Sequence, residues 1–169
     1  MTKKKVSKPS KPLSTPKFAV NDEVPEIKAL ATSGDFELAE YRGKNIVIYF
    51  YPKDSTPGCT QEGIDFSKLN AQFKKLKTEI LGVSRDSLKS HENFRTKQKF
   101  SFPLVSDTEE EMCQLFGVIK MKNMYGRQVR GIERSTFVID KNGVLKREWR
   151  GVRVPGHAQE VLEFVKTLK

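Results

Sequence analysis

Cys59 follows the stretch Pro52-Lys53-Asp54-Ser55-Thr56-Pro57-Gly58 and precedes a segment of helical periodicity. A thiol placed there would sit in the first turn of a helix, where backbone N–H groups lack intrahelical acceptors and the macrodipole presents its positive end. Both favour a thiolate over a thiol, so Cys59 is expected to be a reactive nucleophile. A free cysteine can also serve as a small buried hydrophobe, but a loop of Pro, Asp, Ser, Thr and Gly is a poor wall for an apolar pocket.

The elements that must hold this thiol can be read outward from it. Residues 45–51 are β-branched and aromatic almost throughout, the pattern of a strand buried on both faces. Pro52 and Pro57-Gly58 stop that strand and force a loop. Ile64, Phe66, Leu69, Phe73 and Leu76 then recur at roughly helical spacing, giving a helix from about Cys59 to about Lys77. Ile80-Leu81-Gly82-Val83 reads as a second buried strand, and a helix between two such runs is the signature of a parallel βαβ unit.

Upstream, residues 27–32 and 36–39 are expected to form two short strands around Ser33-Gly34-Asp35. Downstream, residues 87–100 read as a helix and Leu104-Val105 as a short strand. Residues 108–116 read as a helix capped by Asp107 or Thr108. Residues 117–131, with Met121, Met124 and Tyr125 among lysines and arginines, read as an exposed loop. Residues 136–139 and 144–149 are strands joined by Asp140-Lys141-Asn142-Gly143, in which Asn-Gly is a hairpin signal. Residues 157–168 place Val161, Leu162, Val165 and Leu168 on one helical stripe. The predicted class is α/β, a central mixed sheet with helices on both faces and an N-terminal β-hairpin.

Pro52-x-x-x-Thr56-x-x-Cys59 resembles the active-site signature of the peroxiredoxins. The fuller Tyr51-Pro52-Lys53-Asp54-x-Thr56-Pro57-Gly58-Cys59-Thr60-x-Glu62 is similar to their peroxiredoxin Q, or bacterioferritin-comigratory, branch. The resemblance continues through Ser90-His91, Phe102-Pro103-Leu104-Val105-Ser106-Asp107, Arg134-Ser135-Thr136-Phe137-Val138-Ile139-Asp140 and Gly156-His157-Ala158. It implies a thioredoxin-like fold. It also implies a thiol-dependent peroxidase that reduces hydrogen peroxide and organic hydroperoxides to water and alcohols, in antioxidant defence and redox homeostasis.

The chemistry asks for a thiolate, a fixed cation and hydrogen-bond donors around two oxygens, because the leaving oxygen of a peroxide needs its charge stabilised. Cys59 supplies the thiolate, and the Gly58 and Cys59 amides can donate. The Thr56 hydroxyl, three residues earlier, can point at the sulfur or the peroxide, and Pro52 would shield the thiolate from bulk water. The resemblance assigns the cation to Arg134, which the residues alone would leave as a strand-end arginine. Glu62 reads as structural, orienting an arginine, since a carboxylate beside a thiolate would oppose its ionisation. His91 and His157 read as helix-surface or cap residues, and they make no metal site with lone cysteines. No cofactor is expected.

Many members of the branch carry a second, resolving cysteine five residues after the first, where this chain has Ile64, or on the following helix, where residues 87–100 contain none. Cys113 is the remaining thiol, and its amphipathic setting reads as packed core, with a resolving role requiring local unfolding. An external thiol such as thioredoxin, glutaredoxin or glutathione is therefore the expected reductant of the Cys59 sulfenic acid. A thiol–disulfide oxidoreductase would want Cys-x-x-Cys, and Glu62 occupies its last position. A peroxide sensor, or a nucleic-acid-associated redox protein using a basic tail, is the alternative function.

The 169 residues suffice for one domain with a short extension, and two cysteines make no disulfide framework. Of the net charge of +10, residues 1–17 contribute six lysines and no acid, leaving the remainder at only +4. That stretch, which also holds three prolines and three serines, is expected to be a disordered, solubilising tail, with the domain at 18–169. Nucleic acid is expected only through this tail, and Lys3-Lys4-Lys5 leaves nuclear import open beside a cytoplasmic default. No window is apolar enough to span a membrane, and a monomer is expected.

Overall fold

The computed structural model describes residues 11–168. At its centre lies β3 (Asn45–Phe50), paired in parallel with β4 (Thr78–Ser84) and antiparallel with β8 (Ser135–Ile139). The crossover between β3 and β4 is α1 (Pro57–Lys75), and a second crossover, α2 (Leu88–Gln98), leads from β4 to the parallel strand β5 (Leu104–Ser106). At one edge, β1 (Lys28–Ala31) joins β5 to β2 (Gly34–Glu37); at the other, β9 (Leu145–Arg150) pairs with β8. The order is β2-β1-β5-β4-β3-β8-β9, a mixed sheet as the sequence predicts.

Strand alternation divides the core into two clusters. Val47, Tyr49 and Tyr51 face Phe66 and Phe73 of α1, Phe94 of α2, and Val161 and Leu162 of α4 (His157–Val165). Ile46, Ile48 and Phe50 face the other way, against Met112, Cys113 and Phe116 of the short helix α3 (Glu111–Phe116). Helices thus cover both faces. The helix expected over 108–116 begins only at Glu111, with Glu110 as its N-cap residue; the Asp107 carboxylate reaches across to accept from the backbone N–H groups of Met112 and Cys113 at 3.1 and 2.8 Å, serving first-turn donors that Thr108 does not.

Four further expectations need correction. The second strand begins at Gly34, earlier than predicted, and residues 38–41 instead form a 3-10 turn. The last helix ends at Val165, short of Leu168. The segment read as a loop is a hairpin of its own, β6 (Ile119–Met124) with β7 (Arg127–Ile132), closed by Tyr125-Gly126 with both residues at positive φ. That is the backbone of a tight mirror-image turn, which matches strand twist.

The fourth correction concerns the tail. Residues 1–10 lie outside the described residues; residues 11–17 are exposed except for Ser14, but they are hydrogen-bonded to the domain. Ser14 is buried; its hydroxyl oxygen accepts from the Ile119 N–H at 2.7 Å, and the Lys17 N–H donates to the Leu115 carbonyl at 3.1 Å. Gly117, at φ +69, ends α3 directly beneath this segment, and a Cβ there would meet Pro16 at 2.5 Å. Among the described residues no helix is long and apolar enough to cross a membrane.

Candidate active site

The loop after β3 delivers Thr56 in extended conformation as the N-cap of α1, with Pro57, Gly58 and Cys59 as its first three helical residues. Proline at the first position loses nothing, because that N–H would have no intrahelical partner. The first helical bond runs from the Thr60 N–H to the Thr56 carbonyl at 2.9 Å. The N–H groups of Gly58 and Cys59 are therefore the ones without intrahelical acceptors, in the same first turn as the thiol. Cys59 itself is only 2 % exposed, a buried member of the α1 core cluster and more enclosed than the composition of its loop suggests.

Arg134 reaches this thiol from 75 residues away because of strand register. Phe50 pairs with Ser135, so the residue just before β8 emerges beside the loop that follows β3. Its Nη2 lies 3.5 Å from the Cys59 Sγ, and its Nη1 donates to Glu62 Oε1 at 2.7 Å. Glu62 is one turn beyond Cys59 on α1 and 1 % exposed. Burial raises its carboxyl to about 7, against the pull of the Arg134 charge and hydrogen bond. The sequence expectation that Glu62 orients an arginine has this geometry.

Thr56 is oriented differently from one of the two sequence alternatives. Its hydroxyl donates to the Lys53 carbonyl at 2.8 Å, so the hydrogen is committed and the oxygen offers only lone pairs to the site. Pro52 stands half-buried at the start of the loop. Cys113 is fully buried in the other core cluster, so the sheet separates the two thiols. Burial first, then the Asp107 carboxylate, push the Cys113 thiol far above its ordinary range.

Both histidines are less exposed than the sequence reading allowed. His157 opens α4 but is buried, with its Nε2 at 2.7 Å from the Thr136 hydroxyl, and burial lowers it to about 4. His91 is fully buried against Asp54, a contact with no sign in the sequence beyond the Ser90-His91 pair itself.

Gly58 is where Arg134 comes closest to the helix backbone: a Cβ there would lie 3.2 Å from Nη2. Gly58→Ala suits the helix, yet it is expected to displace the guanidinium and slow oxidation of Cys59 roughly tenfold, since small misplacements at reacting atoms are costly. Stopped-flow oxidation by hydrogen peroxide, with the melting temperature as a control for folding, reads this out.

A cation over the sulfur favours the thiolate for either chemistry, but thiol–disulfide exchange would want a second thiol where Glu62 stands. The cation suits a nucleophile whose leaving oxygen carries charge, as in a thiol peroxidase on a thioredoxin-like sheet. The chain belongs to the AhpC/TSA family, whose model matches residues 20–148. It is 59 % identical over 129 residues to peroxiredoxin Bcp of Xanthomonas campestris, covering 76 % of this chain and 81 % of that one. To peroxiredoxin Bcp of Bacillus subtilis it is 42 % identical over 150 residues, covering 88 % and 96 %. Among solved structures it is similar to a mutant of Xylella fastidiosa PrxQ, with TM-score 0.85 and 43 % identity over 90 % of this chain and 98 % of that one. A structure of the Xanthomonas campestris bacterioferritin comigratory protein, described with its alkyl peroxide reduction activity, matches with TM-score 0.79 and 54 % identity over 83 % and 90 %. The two peroxiredoxin Bcp relatives are bacterial proteins, and neither supports the nuclear reading of the lysine-rich tail.

Proposed function

We propose that Cys59 is the nucleophile of this thiol-dependent peroxidase and that it is recycled by an external thiol. The observation that carries the assignment is the Arg134 guanidinium, bound at once to the Cys59 sulfur and to a buried carboxylate that fixes its direction. The Cys59 thiolate attacks the terminal oxygen of a hydroperoxide, forming an S–O bond as the O–O bond breaks. The peroxide hydrogen ends on the departing oxygen, which leaves as an alcohol, or as water from hydrogen peroxide. The sulfur is oxidised by two electrons to a sulfenate, which is protonated from water.

Each neighbour has a task in that step. Arg134 and the Gly58 and Cys59 N–H groups donate to oxygens that gain charge in the transition state. Thr56, its own hydrogen already donated, accepts the peroxide O–H and sets the angle of approach. Pro52 limits water at the sulfur. Glu62 acts through Arg134 and is a positioning residue.

The sulfenic acid then reacts with an external thiol, releasing water and leaving a mixed disulfide, and a second thiol frees Cys59 as it forms its own disulfide. Thioredoxin, glutaredoxin and glutathione all carry suitable thiols. Cys113 is a poor internal substitute, because it faces the opposite core and its thiol resists ionisation.

One equivalent of hydrogen peroxide with a sulfenic-acid trap tests this by intact mass and thiol count. Wild type and Cys113→Ser are both expected to trap one sulfenic acid, with no intramolecular disulfide. Loss of two thiols in the wild type alone would make Cys113 the resolving residue. The serine hydroxyl can donate to the Asp107 carboxylate already beside Cys113, so the substitution should cost only about 1 kcal/mol of stability while leaving turnover with an external thiol intact.

A further inference from the structure

The loop that carries Thr56 is tied down by a single side chain. Asp54, two residues before Thr56, turns its carboxylate inward, where it is 2 % exposed. Oδ1 accepts from the Tyr51 hydroxyl at 2.6 Å, and Oδ2 accepts from the Ser90 hydroxyl at 2.8 Å. Oδ2 also faces His91 Nδ1 at 2.7 Å. On the far side of the ring, His91 Nε2 lies 2.8 Å from the Val105 carbonyl, which can only accept, so that nitrogen carries a hydrogen. The Asp54 N–H donates to Asp86 Oδ2 at 2.9 Å, and Asp86 in turn accepts from the Ser84 hydroxyl. The ends of β3 and β4, the first turn of α2, and β5 thus converge on one loop residue.

Polar atoms of Asp54, Asp86 and His91 lie close enough together to raise the question of a cation. Both ring nitrogens of His91 and Asp86 Oδ2 already face hydrogen-bond partners, so the cluster reads as a closed hydrogen-bond network. Such a network strongly resists loss of one member, because the partner left behind is buried and unpaired. It also reaches the reaction. Lys53, beside Asp54, supplies the carbonyl that takes the Thr56 hydrogen, and Ser55 between them is held at φ +61.

We propose that His91 and Asp54 are positioning residues for the peroxide step. Their contact fixes the Lys53 carbonyl, and through it the rotamer of Thr56, so that the Thr56 lone pairs and the Gly58 and Cys59 N–H groups converge on one oxygen pair. The inference rests on the roles given above to Cys59 and Thr56.

The test measures two rates on reduced protein: oxidation of Cys59 by hydrogen peroxide and alkylation of Cys59 by iodoacetamide. The alkylating agent needs the same thiolate but not the Thr56 geometry. His91→Gln and Asp54→Asn are each expected to slow oxidation about 10–30-fold while alkylation stays within threefold of wild type. The double variant should be no slower than the worse single, because the two residues act as one unit. Ser90→Ala removes only one contact to Asp54; it is expected to slow oxidation about threefold, and it decides the matter if the other variants do not fold.

Oxidation within twofold of wild type in folded variants, losses that multiply in the double, or alkylation slowed in parallel would each overturn the proposal. Failure of the wild type to trap a sulfenic acid at Cys59 would instead overturn the functional assignment beneath it, so the two failures are distinct.

Discussion

Arg134→Met is expected to lower the rate of Cys59 oxidation by hydrogen peroxide about 10²–10³-fold, with the fold retained. A preorganised donor aimed at developing charge is worth that much when removed, and Arg134 is the cation whose guanidinium contacts the sulfur. Methionine keeps most of the side-chain length. Arg134→Lys is expected to recover only part of the loss, since one ammonium cannot hold the Cys59 sulfur and the Glu62 carboxylate in the fixed fork of a guanidinium. Second-order rates from stopped-flow oxidation check both. A methionine variant within fivefold of wild type would remove Arg134 from the mechanism and leave the helix N-terminus to stabilise the departing oxygen alone.

The thiol, its loop and the helix it starts are legible in the sequence because their signals are local: two prolines, a glycine and a change of hydrophobic period within about twenty residues. Arg134 is not legible in that way. Its place depends on the register that sets Phe50 against Ser135, a pairing across 85 positions, and only the resemblance pointed to it. The misreading of His91 has the same root. A polar residue on a helix of modest amphipathicity reads as surface, and its burial is explained by Asp54 and the Val105 carbonyl, 37 and 14 residues away.

Local chemistry also misled where it was atypical. The hairpin of β6 and β7 turns on Tyr125-Gly126, whose first residue adopts φ +53 without being the Asn, Asp or Gly that usually signals such a turn. Away from the buried Ile119 and Ile132, its strands mix lysine, arginine, asparagine and glutamine with exposed methionine and valine, a composition that reads as a loop. Residues 11–17 likewise look too polar to order themselves. The contacts that fix them are supplied by α3 and β6, and the buried hydroxyl of Ser14 takes part in them as a backbone partner.

Glu62→Gln and His157→Gln are expected to tilt the pH dependence of stability in opposite directions, with the wild type nearly level between them. Burial raises Glu62 to about 7, so between the unfolded value of 4.5 and that point the native state holds the extra proton. Its contribution to stability is complete below 4.5 and is lost as pH rises to 7, by as much as about 3 kcal/mol. Burial lowers His157 from 6.5 to about 4, so there the unfolded state holds the extra proton. That contribution is complete above 6.5 and is lost as pH falls to 4, by a similar amount. The two windows overlap from about 4.5 to 6.5 with opposite slopes. Glu62→Gln should uncover the histidine, with stability rising through that window, and His157→Gln should uncover the glutamate, with stability falling. Urea midpoints at pH 4.5, 5.5 and 6.5 resolve slopes of this size. A wild-type curve that rises as steeply as the Glu62→Gln curve would mean that the Arg134 guanidinium keeps Glu62 ionised throughout, and the Arg134–Glu62 contact would then be a permanent ion pair.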